Sequence, residues 1–310
     1  MYYRRLYHAC ILFCNILSIN KYPIKGRERY RPFFIVGSGR SGNTLLRRIL
    51  NDHSEIIIPP ETYVLGAAIS RFKRYRAMSW PDLVEYVLAA FEFYPEFETF
   101  GISLRPLVQK LKGTKKEKRN LALILNSFYM YYAEQTGKAC RRWGDKTPLN
   151  TFALEAIYSV FPDARFIHII RDGCDVVASY VKAGIYQSVE EAAKRWIRSI
   201  KTVNSFQVKY PDAVLNIRYE QLVTEPQQTL RTVCQFIGID FQPQMLNEKN
   251  KNRAKLGDVE MRAHHSNVLK PISTSNIGRG RATLSVAQKE AIQLIIGEQL
   301  RILGYDDCRS

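Results

Sequence analysis

Acidic residues are scarce in this 310-residue chain: 29 Asp and Glu stand against 46 Lys and Arg, giving 46 − 29 = +17. Such a field draws anions, and by itself it fits nucleic acid, anionic lipid, acidic glycan or a multiply phosphorylated small molecule. A bilayer-spanning run is lacking near the N-terminus. The apolar stretch Ala9 to Ile19 is eleven residues long and broken by Asn15 and Ser18, against ~20 for a spanning helix, and no small-x-small cleavage pattern follows it. The six cysteines (Cys10, Cys14, Cys140, Cys174, Cys234, Cys308) include no CxxC pair and have no histidine at ligand spacing. That argues against a zinc or redox-pair site. Ordinary, mostly buried thiols are expected, in keeping with a reducing, cytoplasmic setting. Internal repeats and low-complexity tracts are also missing, as is any recognition-helix, RRM or OB-fold signature, so nucleic acid is not an expected partner.

What is present is the composition of a folded protein, 46% hydrophobic and 24% charged. Apolar strand-like runs at 33–37, 164–172 and 213–220, and a short one in "EIIIPPE" ending at Pro59-Pro60, alternate with segments of helical periodicity. Helices are predicted over 43–51, 65–75, 81–91, 118–136, 174–182, 189–210, 226–238 and 286–303, with Gly238 ending the seventh. "KLKGTKKEKR" is predicted to be a solvated loop and the charged stretch 247–270 a mobile one. Strands apolar on both faces, alternating with helices, predict an α/β fold: a parallel sheet covered by helices on both faces. One such domain is expected over 31–310, after a basic and apolar extension over 1–30. The basic string Lys21, Lys25, Arg27, Arg29 and Arg31 leaves peripheral membrane contact open through anionic lipid, beside the plainer reading of a short helix packed on the domain.

The stretch "FFIVGSGRSGNTLL", 33–46, reads as a phosphate-binding loop with one part missing. A strand enters Gly37, four residues intervene, Gly42 follows, and a helix begins. An ordinary nucleotide-binding loop continues with Lys and then Ser or Thr; here the pair is Asn43-Thr44. Backbone N–H groups from Gly39 to Thr44 and the positive helix end make an anion seat, with Arg40 as its cation and Ser41 and Thr44 as hydroxyl donors. A second strand-to-helix junction, "FIHIIRDGCDVVASY", sets Arg171 at the strand's end and Ser179 about two turns into the helix. The bland alternative there is a surface pair of Arg171 with Asp172 or Asp175. Two seats without the lysine suggest a nucleotide phosphorylated at two ends.

These motifs resemble the sulfotransferases that use 3′-phosphoadenosine-5′-phosphosulfate (PAPS). "GSGRSGNT" is similar to the family's loop for the 5′-phosphosulfate, and "IIRDGCDVVASY" to its 3′-phosphate segment. "RYEQL", 218–222, resembles a segment whose tyrosine, here Tyr219, lies by the nucleotide. "SNIGRG", 275–280, resembles the late loop that closes over the 3′-phosphate, here with Ser275, Gly278 and Arg279. The resemblance runs from about residue 31 to 304. It implies the P-loop-like sulfotransferase fold, PAPS as co-substrate, PAP as product, no metal, and in-line transfer to a hydroxyl. It also accounts for the missing lysine, because PAPS has no β,γ-diphosphate to be reached.

"GDKTP", 144–148, resembles a segment of tyrosylprotein and many bacterial sulfotransferases, which implies that Lys146 contacts the moving sulfuryl group. Glu61, in "IPPETYVLG", resembles the glutamate of the tyrosylprotein enzymes' Glu-Thr-Arg segment, and is the candidate base for the acceptor hydroxyl. Tyr63 stands where that pattern has arginine, which weakens the case for a peptide tyrosine. A carbohydrate or glycolipid acceptor is expected ahead of it. His168 and His53 are read as structural. Two other classes stay in view: a P-loop kinase or NTPase, which should carry Lys at 43, and a non-catalytic polyanion-binding protein, which the charge alone permits.

Overall fold

The computed structural model describes residues 21–247 and 271–309. The apolar run 9–19 and nearly all of the loop predicted over 247–270 lie outside them. Five strands are formed among the described residues: β1 (Phe33–Val36), β2 (Ile56–Ile57), β3 (Arg142–Lys146), β4 (Arg165–Ile170) and β5 (Val214–Arg218). β1 is buried along its whole length and β4 at five of its six residues, the pattern of strands covered on both faces. The pairings β1–β4, β4–β5 and β2–β3 are parallel, and parallel neighbours need helical crossovers. The result is an α/β fold.

The chain divides into two compact units. Among the described residues, one comprises those up to Pro32, Ser54–Asp145 and Ala153–Ala164; the other comprises Phe33–His53, Lys146–Phe152 and those from Arg165 onward. In the first, β2 pairs with β3, Ile56 opposite Arg142. Its helices Leu65–Tyr75, Trp80–Glu92, Arg105–Lys112 and Leu121–Gln135 meet through aromatic rings, Phe91 against Phe128 at 4.5 Å and Tyr129 stacked on Trp143 at 3.8 Å. In the second, β1 pairs with β4 in the register Val36–His168, and β4 pairs with β5 in the register Ile170–Arg218. The helices Gly173–Lys182, Val189–Lys209 and Val286–Ile302 close over an apolar cluster holding Trp196, Ile200, Ile296 and Leu300. Ser285 and Gln288 form a reciprocal capping box at the start of the last helix. No described helix is long and apolar enough to cross a membrane.

Two expectations change, and a strand forms where no element was predicted. Arg105–Lys112 is a helix, so the predicted solvated loop begins later, and the next helix starts at Leu121, capped by Asn120. Arg142–Lys146 is a strand. Cys174 and Cys308 are joined in a disulfide across 134 residues of sequence, so the reading of unpaired thiols is corrected and cysteine usage no longer favours a reducing compartment. Cys140 and Cys234 are free, and burial pushes both thiols up to about 11.

Candidate functional site

β1 delivers the chain into the loop Gly37–Thr44, and three contacts fix its path. Thr151 Oγ1 accepts from the Gly37 N–H at 2.9 Å and donates to the Gly37 carbonyl at 3.0 Å. Asn43 Nδ2 crosses the loop to the Ser38 carbonyl at 2.7 Å. The residue in the lysine's place therefore ties the loop to itself. Ser38 Oγ lies 3.1 Å from the Tyr180 hydroxyl. Gly42, at φ 99°, caps the helix Asn43–Asn51, which has no side-chain cap. A Cβ at Gly42 would stand 2.5 Å from the Tyr219 ring, so ring and loop touch there. Arg40 takes a left-handed φ of 64°, a conformation that costs free energy in a non-glycine residue and recurs at ligand sites. Ser41 Oγ and Asn43 Oδ1 are buried without a hydrogen-bond partner among the described residues.

The second junction meets the first. Arg171 Nη1 donates to the Arg40 carbonyl at 3.2 Å, and Arg40 Nε donates to Ser179 Oγ at 3.0 Å. Arg40 thus reaches across to the hydroxyl assigned from sequence to the other seat. Burial lowers its guanidinium below the ordinary range, Tyr180 opposes this, and Arg171 adds to it; an arginine so placed stays charged. The Arg171 guanidinium lies 4.4 Å over the Tyr219 ring, a cation–π contact. Burial raises the Tyr219 hydroxyl, with Arg171 and Asn276 pulling it back. Arg171 Nη2 donates to Asp175 Oδ2 at 3.2 Å and to the Asn276 carbonyl at 2.5 Å. Its Nε is buried with no partner among the described residues.

The remaining predicted residues are distributed as follows. Lys146 is buried, and its Nζ donates to Thr44 Oγ1 at 3.3 Å, which ties "GDKTP" to the loop. Gly278 hands its N–H to Asp175. Ser275 is exposed and bonded to Ser273, and Arg279 is exposed at the start of a short helix. Glu61 belongs to the other unit, where it is buried just after β2. Beside it, Thr62 and Tyr129 both donate to Asp145 Oδ2, at 2.9 and 2.7 Å. Tyr63 is the centre of a tight turn with φ 54°, closed by Val64 N–H to the Thr62 carbonyl at 2.6 Å, and its ring stacks on Tyr94 at 5.3 Å. His168 is wholly buried and bonded to Asn216, and His53 Nε2 lies 3.0 Å from the Asp240 carbonyl; both are structural.

Sequence reasoning missed three contributors and read a fourth, Asp175, only as a surface partner of Arg171. Asp175 and Asn276 hold Arg171, and Tyr180 braces Ser38. Arg281 pairs with Asp172 and reaches the Asp306 carbonyl at 2.6 Å. Burial raises the Asp172 carboxyl, and Arg281 and the Cys174 N–H offset the rise. Asp175 carried a signal, its i+4 spacing from Arg171, but that spacing alone reads as a surface pair.

The model of the sulfotransferase family matches residues 32–243. Protein-tyrosine sulfotransferase 1 of Danio rerio is 24% identical over 284 residues, covering 88% of this chain and 72% of the relative. The protein-tyrosine sulfotransferase of Drosophila melanogaster is 24% identical over 316 residues, covering 95% of this chain and 57% of the relative. Among solved structures, the sulfotransferase domain of the Synechococcus PCC 7002 olefin synthase superposes with a TM-score of 0.62 at 22% identity, over 92% of this chain and 98% of that one. The likeness establishes a shared fold. With a lysine-free phosphate loop, an arginine at the next strand's end, and a family match spanning both, the chain belongs to the sulfotransferase family.

Proposed function

We propose that this sulfotransferase uses PAPS and moves its sulfuryl group to a hydroxyl of a carbohydrate or glycolipid. The observation that carries the donor assignment is the Arg171–Arg40 contact at 3.2 Å, which joins two strand-end cations into one anion-binding corner. The unfilled polar atoms support the fit. Ser41 Oγ and Arg171 Nε are buried hydrogen-bonding groups lacking protein partners among the described residues, a costly state that a phosphate would relieve. The uncapped N–H groups of the helix Asn43–Asn51 offer the same.

When bound, PAPS would supply the sulfuryl group and a leaving phosphate on which negative charge develops. The chain's part is electrostatic: Arg40 and the loop N–H groups receive that charge, and Lys146, held on Thr44, faces a group whose charge shifts. Glu61 takes the acceptor's proton, a contribution of about 10²–10⁴-fold. Tyr63 and Tyr94 support the carbohydrate reading, because stacked tyrosines offer apolar ring faces with polar tips, which suit a pyranose. A peptide tyrosine is the second reading, favoured by the relatives named protein-tyrosine sulfotransferases.

Transfer of labelled sulfate from PAPS, assayed on oligosaccharide, glycolipid and tyrosine-peptide acceptors, tests both assignments. Arg40→Ala should lose transfer and PAP binding. Glu61→Gln should lose about 10²-fold or more in kcat while still binding PAP. If Glu61→Gln lost PAP binding too, its role as base would be wrong. If label went only to peptide tyrosine, the carbohydrate assignment would fail.

A further inference from the structure

Asp175 looks misplaced by charge. Its carboxylate stands beside the corner where Arg40 and Arg171 are set out for an anionic donor, and its side chain is fully buried. Its partners resolve the conflict. Oδ1 accepts the Gly280 N–H at 2.6 Å, and Oδ2 accepts the Gly278 N–H at 3.0 Å and Arg171 Nη2 at 3.2 Å. Two of these are backbone groups of a loop more than a hundred residues further along the chain. Asn276 of that loop accepts from Arg171 as well, which closes a ring of hydrogen bonds through the loop, the arginine and the carboxylate. The loop also sits flush on the helix start. A Cβ at Gly280 would stand 2.3 Å from the Cys174 carbonyl oxygen and 2.6 Å from the Asp175 nitrogen, so only glycine fits.

We propose that Asp175 is a positioning residue for the donor: it fastens the loop Asn276–Gly280 to the helix Gly173–Lys182 and turns Arg171 so that its bare Nε faces the donor's phosphate. This rests on the donor reading above. The chemistry selects a carboxylate, because two N–H groups and a guanidinium need an acceptor with several lone pairs and no hydrogen of its own. Asparagine offers one oxygen and turns its NH₂ toward another donor. The carboxylate's charge is meanwhile spent on Arg171 and the two amides, not left facing the ligand.

Calorimetric PAP binding to the full chain and hydrogen exchange at the Gly278 and Gly280 amides test this. In the free wild type both amides should exchange slowly. In Asp175→Asn and Asp175→Ala they should exchange fast while core amides keep their protection. The PAP dissociation constant should rise about tenfold to a hundredfold. The KM for PAPS should rise with it, and kcat at saturating PAPS should change by less than about threefold. Gly280→Ala breaks the same joint from the loop side and should weaken PAP binding equally, which keeps the test available if the Asp175 variants do not fold. Wild-type PAP affinity in Asp175→Asn overturns the proposal, as do wild-type Gly278 and Gly280 amides that exchange as fast as those of an open loop. A wild type that binds no PAP overturns the donor reading first, and this inference with it.

Discussion

At the scale of single residues, burial without charge is illustrated by His168. It sits in β4 with no exposed surface, Nδ1 against Asn216 Oδ1 at 2.9 Å. Burial depresses its pKa from 6.5 to about 4, which the Asn216 contact only partly opposes. The sign follows from proton counting. Between those two values the unfolded chain binds a proton that the folded chain refuses, so stability falls as pH falls through that window. The contribution lost between pH 7 and pH 5 is about 2 kcal/mol. The raised carboxyl of Asp172 works in the opposite direction, so comparison with a variant is needed to isolate the histidine. His168→Gln, which keeps a polar side chain of similar size, should flatten the drop in denaturant midpoint from pH 7 to pH 5. An equally steep drop in the variant would assign the acid limb to other groups.

At the scale of elements, the strand–loop–helix from Phe33 to Asn51 was legible because every signal agreed: an apolar strand, two spaced glycines, then a periodic helix. The helices at 43–51 and 65–75 were likewise marked and are found at the predicted bounds. Arg105–Lys112 is only two turns long, opens with a proline at its start, and runs into the basic tract that hid it. β3 reads Arg-Trp-Gly-Asp-Lys, in which only Trp favours a strand, and becomes a strand through its pairing with Ile56–Ile57. The site divides the same way. Arg40, Arg171 and Ser179 were visible from their places at the two strand-to-helix junctions. The partners of Asp175 lie 103 and 105 residues away, beyond any local pattern. The loop's geometry is testable at Gly42, where φ is 99° and an added Cβ would strike Tyr219. Gly101 is a control, with φ 63° and nothing within 4 Å of an added Cβ. Gly42→Ala and Gly101→Ala share the backbone cost of about 1–3 kcal/mol, and Gly42→Ala adds the clash. Gly42→Ala should therefore show the larger fall in thermal midpoint and alone should weaken PAP binding. Equal falls, with PAP affinity intact, would show that ring and loop are not packed as described.

At the scale of the whole molecule, a disulfide ties Cys308 to the helix Gly173–Lys182, which carries Asp175 and begins two residues after Arg171. Cys174 is the second residue of that helix, and Cys308 is fully buried in the same apolar cluster as Trp196 and Leu300. Arg281 reinforces the tie by pairing with Asp172 and donating to the carbonyls of Asp306 and Asp307. Closing so long a stretch of chain removes freedom chiefly from the unfolded state, a gain of about 2–5 kcal/mol, which corresponds to roughly 3–8 °C in thermal midpoint for a chain of this size. Cys308→Ser, or dithiothreitol on the wild type, should lower the midpoint by that amount, and reductant should add nothing to the Cys308→Ser variant. Peptide mapping without reductant should recover Cys174 and Cys308 on one cross-linked fragment, with Cys140 and Cys234 open to alkylation once unfolded. A midpoint indifferent to reductant, or Cys174 found alkylated in the unreduced protein, would remove the tie from the account. Because a reducing compartment would keep the two thiols apart, the redox state of this pair in its own cell reports where the enzyme works.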